Sequence, residues 1–243
     1  MKRTHNQTTW KFSVLTALIS GCGPLPSAPD GAAAPDSAAV SADAAAGDGA
    51  SVVGDASPTT SVNSGASVVE FAPGPGAGFG QSRMPDVVLG VPQGTGDMLG
   101  STHVVSLGRG GRICLRMSAP IEDGPGADFI VFENPFFVAG LDQSFIELGE
   151  VSVSDDGQRF VTFDCQRSAP YRGCAGVTPV YSNSNNGIDP TDPRYAGGDA
   201  FDLSAVSLSR ATVVCIRDLE TLAPMPPSSG FDLDAIVAVR SPR

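Results

Sequence analysis

Arg112-Ile113-Cys114-Leu115-Arg116-Met117 and Ala211-Thr212-Val213-Val214-Cys215-Ile216-Arg217 are two short runs of β-forming residues, each with a cysteine near its middle. Neither run carries a helical stripe, and both read as strands. Working outward, Thr102 to Leu107, Asp128 to Phe132, Glu147 to Ser154, Arg159 to Phe163 and Leu233 to Val239 read as further strands with turn residues between them. Glycine (29) and proline (20) together make up about a fifth of the 243 residues, against roughly 12% ordinarily. Many short strands with such punctuation predict an all-β fold, a single β-sandwich or jelly roll over residues 67–243.

Composition removes several chemistries. Lysine occurs only at positions 2 and 11 and histidine only at 5 and 103, so Schiff-base and Walker-loop mechanisms are excluded from the domain. His103 sits in a strand context, where a structural or surface role is expected, and no Gly-x-Ser-x-Gly elbow accompanies it. The glycine-rich run Gly74 to Gly80 lacks the following helix and the lysine of a nucleotide loop and reads as a turn. A formal net charge of −11 argues against nucleic-acid binding.

The first eleven residues carry Lys2, Arg3, His5 and Lys11 with no acid, and Phe12 to Ser20 form an apolar run too short to span a bilayer. This is a secretory signal over residues 1–21. Its end, Ile19-Ser20-Gly21-Cys22, resembles the bacterial lipobox, and the resemblance implies lipidation of Cys22 and a membrane partner reached through acyl chains. Gly23, rather than Asp, implies the outer membrane. Cleavage would remove three basic residues and no acid, taking the net charge to −14 with arginine as the only strong cation. Residues 22–66 hold Ala, Ser, Asp, Gly and Pro with no aromatic and read as a disordered linker. About 44 such residues would span roughly 35 to 40 Å.

Four further cysteines, 114, 165, 174 and 215, are an even number in an exported chain and imply two disulfides. Three pairings are possible. The short separation of 165 and 174 and the mid-strand places of 114 and 215 favour Cys165–Cys174 and Cys114–Cys215. A zinc site is the rival, but no Cys-x-x-Cys is present.

Carboxylates are the clustered chemistry. Asp128 and Glu133 bracket an apolar strand, Asp202 follows Gly-Gly-Asp-Ala-Phe, and Asp232 and Asp234 lie two apart in Gly-Phe-Asp-Leu-Asp-Ala-Ile. That spacing predicts the two acids on one strand face and Phe231, Leu233 and Ala235 on the other. Acids embedded in apolar strands need partners; arginines, backbone N–H groups or a hard cation could serve. A calcium ion shared by Asp128, Glu133, Asp202, Asp232 and Asp234 is the sharpest expectation. Asn183, Asn185, Asn186, Asp189 and Asp192 form a second oxygen-rich tract without EF-hand spacing and read as loop. The segment from about Gln166 to Ala200 is long for a compact domain, which marks it as functional or mobile.

Glu150 to Phe160, with its Ser-x-Asp-Gly turn, resembles the corresponding hairpin of discoidin and galactose-binding-like jelly rolls. With Ala127 to Phe136, Gly198 to Leu203 and Gly230 to Ile236, the domain also resembles a group of bacterial cell-surface proteins. The resemblance implies a structural calcium and a ligand held by loops at one end. The only tryptophan, Trp10, leaves with the signal, so the aromatic platform for a glycan falls to Tyr171, Tyr181 and Tyr195. The leading expectation is a non-enzymatic module binding a glycan or an envelope component. A structural envelope protein without a soluble ligand, and a glycoside hydrolase using two carboxylates, are the alternatives.

Overall fold

A computed structural model of the protein describes residues 61–137, 144–221 and 226–239. The signal, Cys22 and the linker up to residue 60 lie outside them. Thirteen strands follow in order: β1 (Gly65–Ala72), β2 (Val105–Ser106), β3 (Arg112–Glu122), β4 (Phe129–Phe132), β5 (Phe136–Phe137), β6 (Ser144–Phe145) and β7 (Gly149–Ser154), then β8 (Val161–Thr162), β9 (Cys174–Ala175), β10 (Asp199–Phe201), β11 (Arg210–Asp218), β12 (Asp232–Leu233) and β13 (Ala235–Ala238). Among the described residues helix occurs only as three short 3-10 turns. Among the described residues every strand pair is antiparallel.

The large sheet runs β1-β3-β11-β7-β8, with β9 also pairing with β7; a smaller one runs β10-β4-β13, and β2–β12 and β5–β6 are two-stranded. Period-two alternation makes the large sheet amphipathic. Ile113, Leu115 and Met117 of β3, Val214 and Ile216 of β11, and Val151 and Val153 of β7 join one core with Phe129, Val131, Ile236 and Ala238 of the smaller sheet. Phe129 stacks on Phe201 at 5.2 Å between ring centroids, and Phe163 meets both rings edge-on. Two sheets burying their inner faces against each other make the fold an all-β, sandwich-like one.

Strand β4 is apolar at all four positions because both of its faces are covered. Ile130 and Phe132 point away from the main core into a second cluster with Ala235, Val237, Val180 and Ala196. The last two belong to the long 166–200 segment, which is therefore an ordered cover over the outer face of the smaller sheet. Asp199 fastens it: one carboxylate oxygen accepts from the N–H groups of Gly176 and Val177, the other from Thr178 Oγ1. The oxygen-rich tract also holds its own turns. Asn183 Oδ1 accepts from the Asn185 N–H, Asn186 Oδ1 from Ile188, and Asp189 Oδ1 from Thr191.

Both disulfides form as the spacing favoured. Cys114 and Cys215 are directly opposed on β3 and β11, on the outer face of the large sheet beside Val213 and Phe160. Cys165–Cys174 closes a loop across nine positions. Two disulfides place the domain in an oxidising compartment outside the cytoplasm. Among the described residues no helix is long and apolar enough to cross a membrane. The Ser-x-Asp-Gly turn is built by its own side chains. Asp156 Oδ1 accepts from the N–H groups of Gln158 and Arg159, Ser154 Oγ accepts from Gly157, and Gly157 takes a φ of +73° that side chains rarely adopt.

Two expectations are corrected. Strand β1 already begins at Gly65, and Ser64 bridges to Val237, so the domain starts before residue 67. Phe231, Leu233 and Ala235 do not share a face. Phe231 and Leu233 lie in the main core with Ile236, whereas Ala235 and Val237 lie in the outer cluster. The phase slips at Asp234, where the chain leaves its ladder with β2 and joins β4.

Gly149 opens β7 against the core. A Cβ there would sit 2.6 Å from the Phe231 ring and 2.8 Å from Ile216 Cγ2. Gly149→Ala is expected to destabilise by about 1–3 kcal/mol through overpacking, read as a lower urea midpoint with an unchanged m-value.

Candidate functional site

The five acids expected to share one cation are distributed over three places. Asp128 and Asp202 do meet, joined by Asp123, with carboxylate oxygens within 4.8 Å of one another. Their lone pairs are partly committed. Asp128 accepts from the Gly124 N–H at 2.8 Å through one oxygen and from Leu203 at 2.7 Å through the other, and Asp202 caps the turn at Ser204. Burial raises the Asp128 pKa, and those two N–H bonds oppose the rise. This trio fastens the turn after β10 to the loop before β4.

Asp234 stands apart. It is 1% exposed, accepts from the Gln93 N–H at 2.8 Å, and faces His103 Nδ1 at 3.5 Å. The pair is an ion pair when His103 is protonated, and the nearby Asp234 carboxylate raises the His103 pKa while desolvation opposes it. His103 thus has a carboxylate partner in Asp234, and its backbone N–H donates to Ser101 Oγ at 3.0 Å.

Glu133 and Asp232 meet in a third place, and there they find Glu147. Glu133 follows β4, Glu147 precedes β7 and Asp232 opens β12, so three separate chain segments bring their carboxylates to one cavity of about 230 Å3. The Phe136 and Phe145 rings of the β5–β6 hairpin, stacked at 5.3 Å, line it as well. The three acids are 3%, 4% and 6% exposed. Asp232 accepts from Ser106 Oγ and, at 3.1 Å, from Ser228 Oγ, and the Asn134 side chain also bonds to it. Glu133 Oε1 accepts from the Asp232 N–H at 3.2 Å, while its Oε2 is buried without a hydrogen-bond partner. Desolvation first, and then the charges of Asp232 and Glu147, push the Glu133 pKa well above the ordinary range. Desolvation, then Asp232 and Asp218, push Glu147 up to about 8. Desolvation raises Asp232 too, against the hydrogen bonds from Ser106 and Ser228.

Of the three tyrosines, two come together. Tyr181 and Tyr195, 40% and 65% exposed, line an open pocket of about 430 Å3 with Gly187, Ile188, Asp189 and Asp192. It is carried by the cover segment. Arg194 lies over the Tyr195 ring at 5.3 Å and grips Asp192 through Nε at 2.9 Å and Nη2 at 2.7 Å, which holds the Asp192 pKa down at about 2. Tyr171 is elsewhere, packed by the Cys165–Cys174 disulfide against Leu148 and Leu219.

Comparison with protein-family models and with curated proteins finds no match to this chain. Fold and sites define an extracytoplasmic all-β domain that carries, among the described residues, an open pocket with two tyrosines and a carboxylate-lined cavity.

Proposed function

We propose that this chain is an exported, lipid-anchored envelope protein whose domain, a galactose-binding-like jelly roll, binds a glycan or another envelope component at the Tyr181–Tyr195 pocket. Cys22 supplies the anchor and residues 23–60 the tether. The observation that carries the binding reading is the pairing of two exposed tyrosines across one open pocket, with Asp189 and Asp192 on its wall. Aromatic faces stack on sugar rings, and carboxylates accept from hydroxyls. Arg194 supports the platform by fixing Asp192 and covering one face of Tyr195.

Tyr181→Ala and Tyr195→Ala test it on a glycan array and against isolated envelope polysaccharide. Each variant should lose about tenfold or more of the binding, since stacked aromatic anchors are worth ~1.5 kcal/mol or more. Both side chains are exposed, so the melting temperature should stay within about 2 °C of the parent. Tyr171→Ala should leave binding unchanged. Undiminished binding in both pocket variants would move the ligand elsewhere.

A further inference from the structure

We infer that His103 and Asp234 are positioning residues for the tyrosine pocket: the pair anchors the segment 93–96 against which Tyr181 is seated, and it lets go when His103 loses its proton. The inference rests on the reading of that pocket as the binding site.

Three lengths of chain meet at Tyr181. Gly94 N–H donates to the Ser182 carbonyl at 3.0 Å and Gly96 N–H to the Val180 carbonyl at 2.9 Å, so the residues on either side of Tyr181 are held by segment 93–96. Asn183 Nδ2 donates back to the Gly94 carbonyl at 3.0 Å, and Ser184 Oγ to Gln93 Oε1 at 3.0 Å. The N–H groups of Tyr181 and Ser182 donate in turn to the Ala196 carbonyl. The Tyr181 ring is seated between the two flanking runs: a Cβ on Gly96 would lie 4.0 Å from its Cδ1, and one on Gly197 3.0 Å from its Cδ2. A shift of segment 93–96 therefore moves the Tyr181 wall of the pocket.

Gln93 is where that segment is fastened. Its N–H donates to Asp234 Oδ2 at 2.8 Å, and its carbonyl accepts from Ser101 Oγ at 2.9 Å, the hydroxyl that accepts from the His103 N–H. Asp234 is 1% exposed, and its Oδ1 has no hydrogen-bond partner, with His103 Nδ1 facing it at 3.5 Å. A buried carboxylate with one oxygen unsatisfied needs a compensating charge. The imidazolium supplies it. Arg83, the other charged group acting on His103 among the described residues, donates through Nη2 to the carbonyls of Thr102 and Val104. Asp234 belongs to no described carboxylate group that could hold an ion.

Charge sets the direction of the effect. The hydrogen bond to Asp234 raises the His103 pKa above 6.5, while burial and Arg83 oppose the rise. Below 6.5 the pair is ionic. As pH rises through the folded value the imidazole becomes neutral, and the contribution of the pair is lost.

Hydrogen–deuterium exchange of the full-length chain, read by mass spectrometry at pH 6 and 8.5 and corrected for intrinsic rates, tests the anchor without any ligand. At pH 6 the Gly94, Gly96, Tyr181 and Ser182 amides should exchange about two- to fivefold faster in His103→Gln than in the parent, and at pH 8.5 the two should match. The His103 side chain is 41% exposed, so the variant keeps its fold. Equal exchange at pH 6 would overturn the inference by removing the anchor. The same excess at both pH values would overturn it by making the effect one of packing. On the glycan array, parent binding should fall by the same factor from pH 6 to 8.5, and His103→Gln should show the weaker level throughout. Binding indifferent to both changes would overturn the link to the pocket even with exchange as expected. Exchange as expected in a chain that binds no array glycan would uphold the anchor and sink the glycan reading alone.

Discussion

Replacing Cys114 and Cys215 together by alanine is expected to lower the unfolding free energy by about 4 to 5 kcal/mol, the largest effect of any change confined to the outer face of the large sheet. The bridge joins positions 101 apart, so in the chain-entropy account it removes far more freedom from the unfolded chain than Cys165–Cys174, separated by nine and worth about 2 to 3 kcal/mol. It also crosses the two central strands. Residues β3 112–116 and β11 213–217 are paired position by position around it, and both flanking strands, β1 and β7, hang on that pair. With whole-domain stability ordinarily about 5–15 kcal/mol, the double variant should be marginal at 37 °C. Urea unfolding of the two double variants checks the order. Equal losses would sink the entropic account, and a larger loss for Cys165/Cys174 would show that the long loop is already constrained when unfolded.

The strands were legible because their information is local. Each of the seven runs read as a strand contains one in the structure, and the cysteines in two of them fixed which strands are neighbours. That the 166–200 segment also covers a sheet was not legible, for a physical reason. Loops of that length ordinarily face water, but here β4 is apolar on both faces, and the cover that satisfies its outer face has to come from outside the regular elements. The all-apolar Phe129-Ile130-Val131-Phe132 is the one local hint of it, since a half-exposed strand would alternate. The acids were harder. Their residue type showed that something must compensate them, but the partner of each is set by tertiary packing. Asp128 and Asp202 meet because β10 pairs with β4. Asp232 and Asp234, two apart, go to different neighbours because the ladder changes partner between them. In the sequence Glu147 stands as the first residue of a strand, where a carboxylate is normally solvated; the β5–β6 strands and the loop bearing Ser228 enclose it.

That enclosure makes Glu147 the residue whose chemistry should be most visible in solution. In the absence of divalent cations, stability is expected to fall as pH rises from about 5 to 8.5, and Glu147→Gln to remove much of the fall. The Glu147 pKa is raised on folding from an ordinary 4.5 to about 8. Below 4.5 both folded and unfolded chains hold the proton, and the group contributes no pH dependence. Between 4.5 and 8 the unfolded chain has released its proton while the folded one retains it, so each pH unit costs about 1.4 kcal/mol. Above 8 the loss is complete, at about 3 to 5 kcal/mol for this group, and Glu133, raised by the same burial, adds to the slope. Glutamine keeps an oxygen for the Gly230 backbone bond that Glu147 accepts and has no proton to lose, so the variant should be the less stable or equal partner at pH 5 and the more stable one at pH 8.5. Urea unfolding in EDTA at the two pH values, with and without the substitution, decides the matter. Parallel pH profiles for parent and variant would mean that Glu147 is solvated, and the cavity would then lose its role as the centre of the carboxylate chemistry.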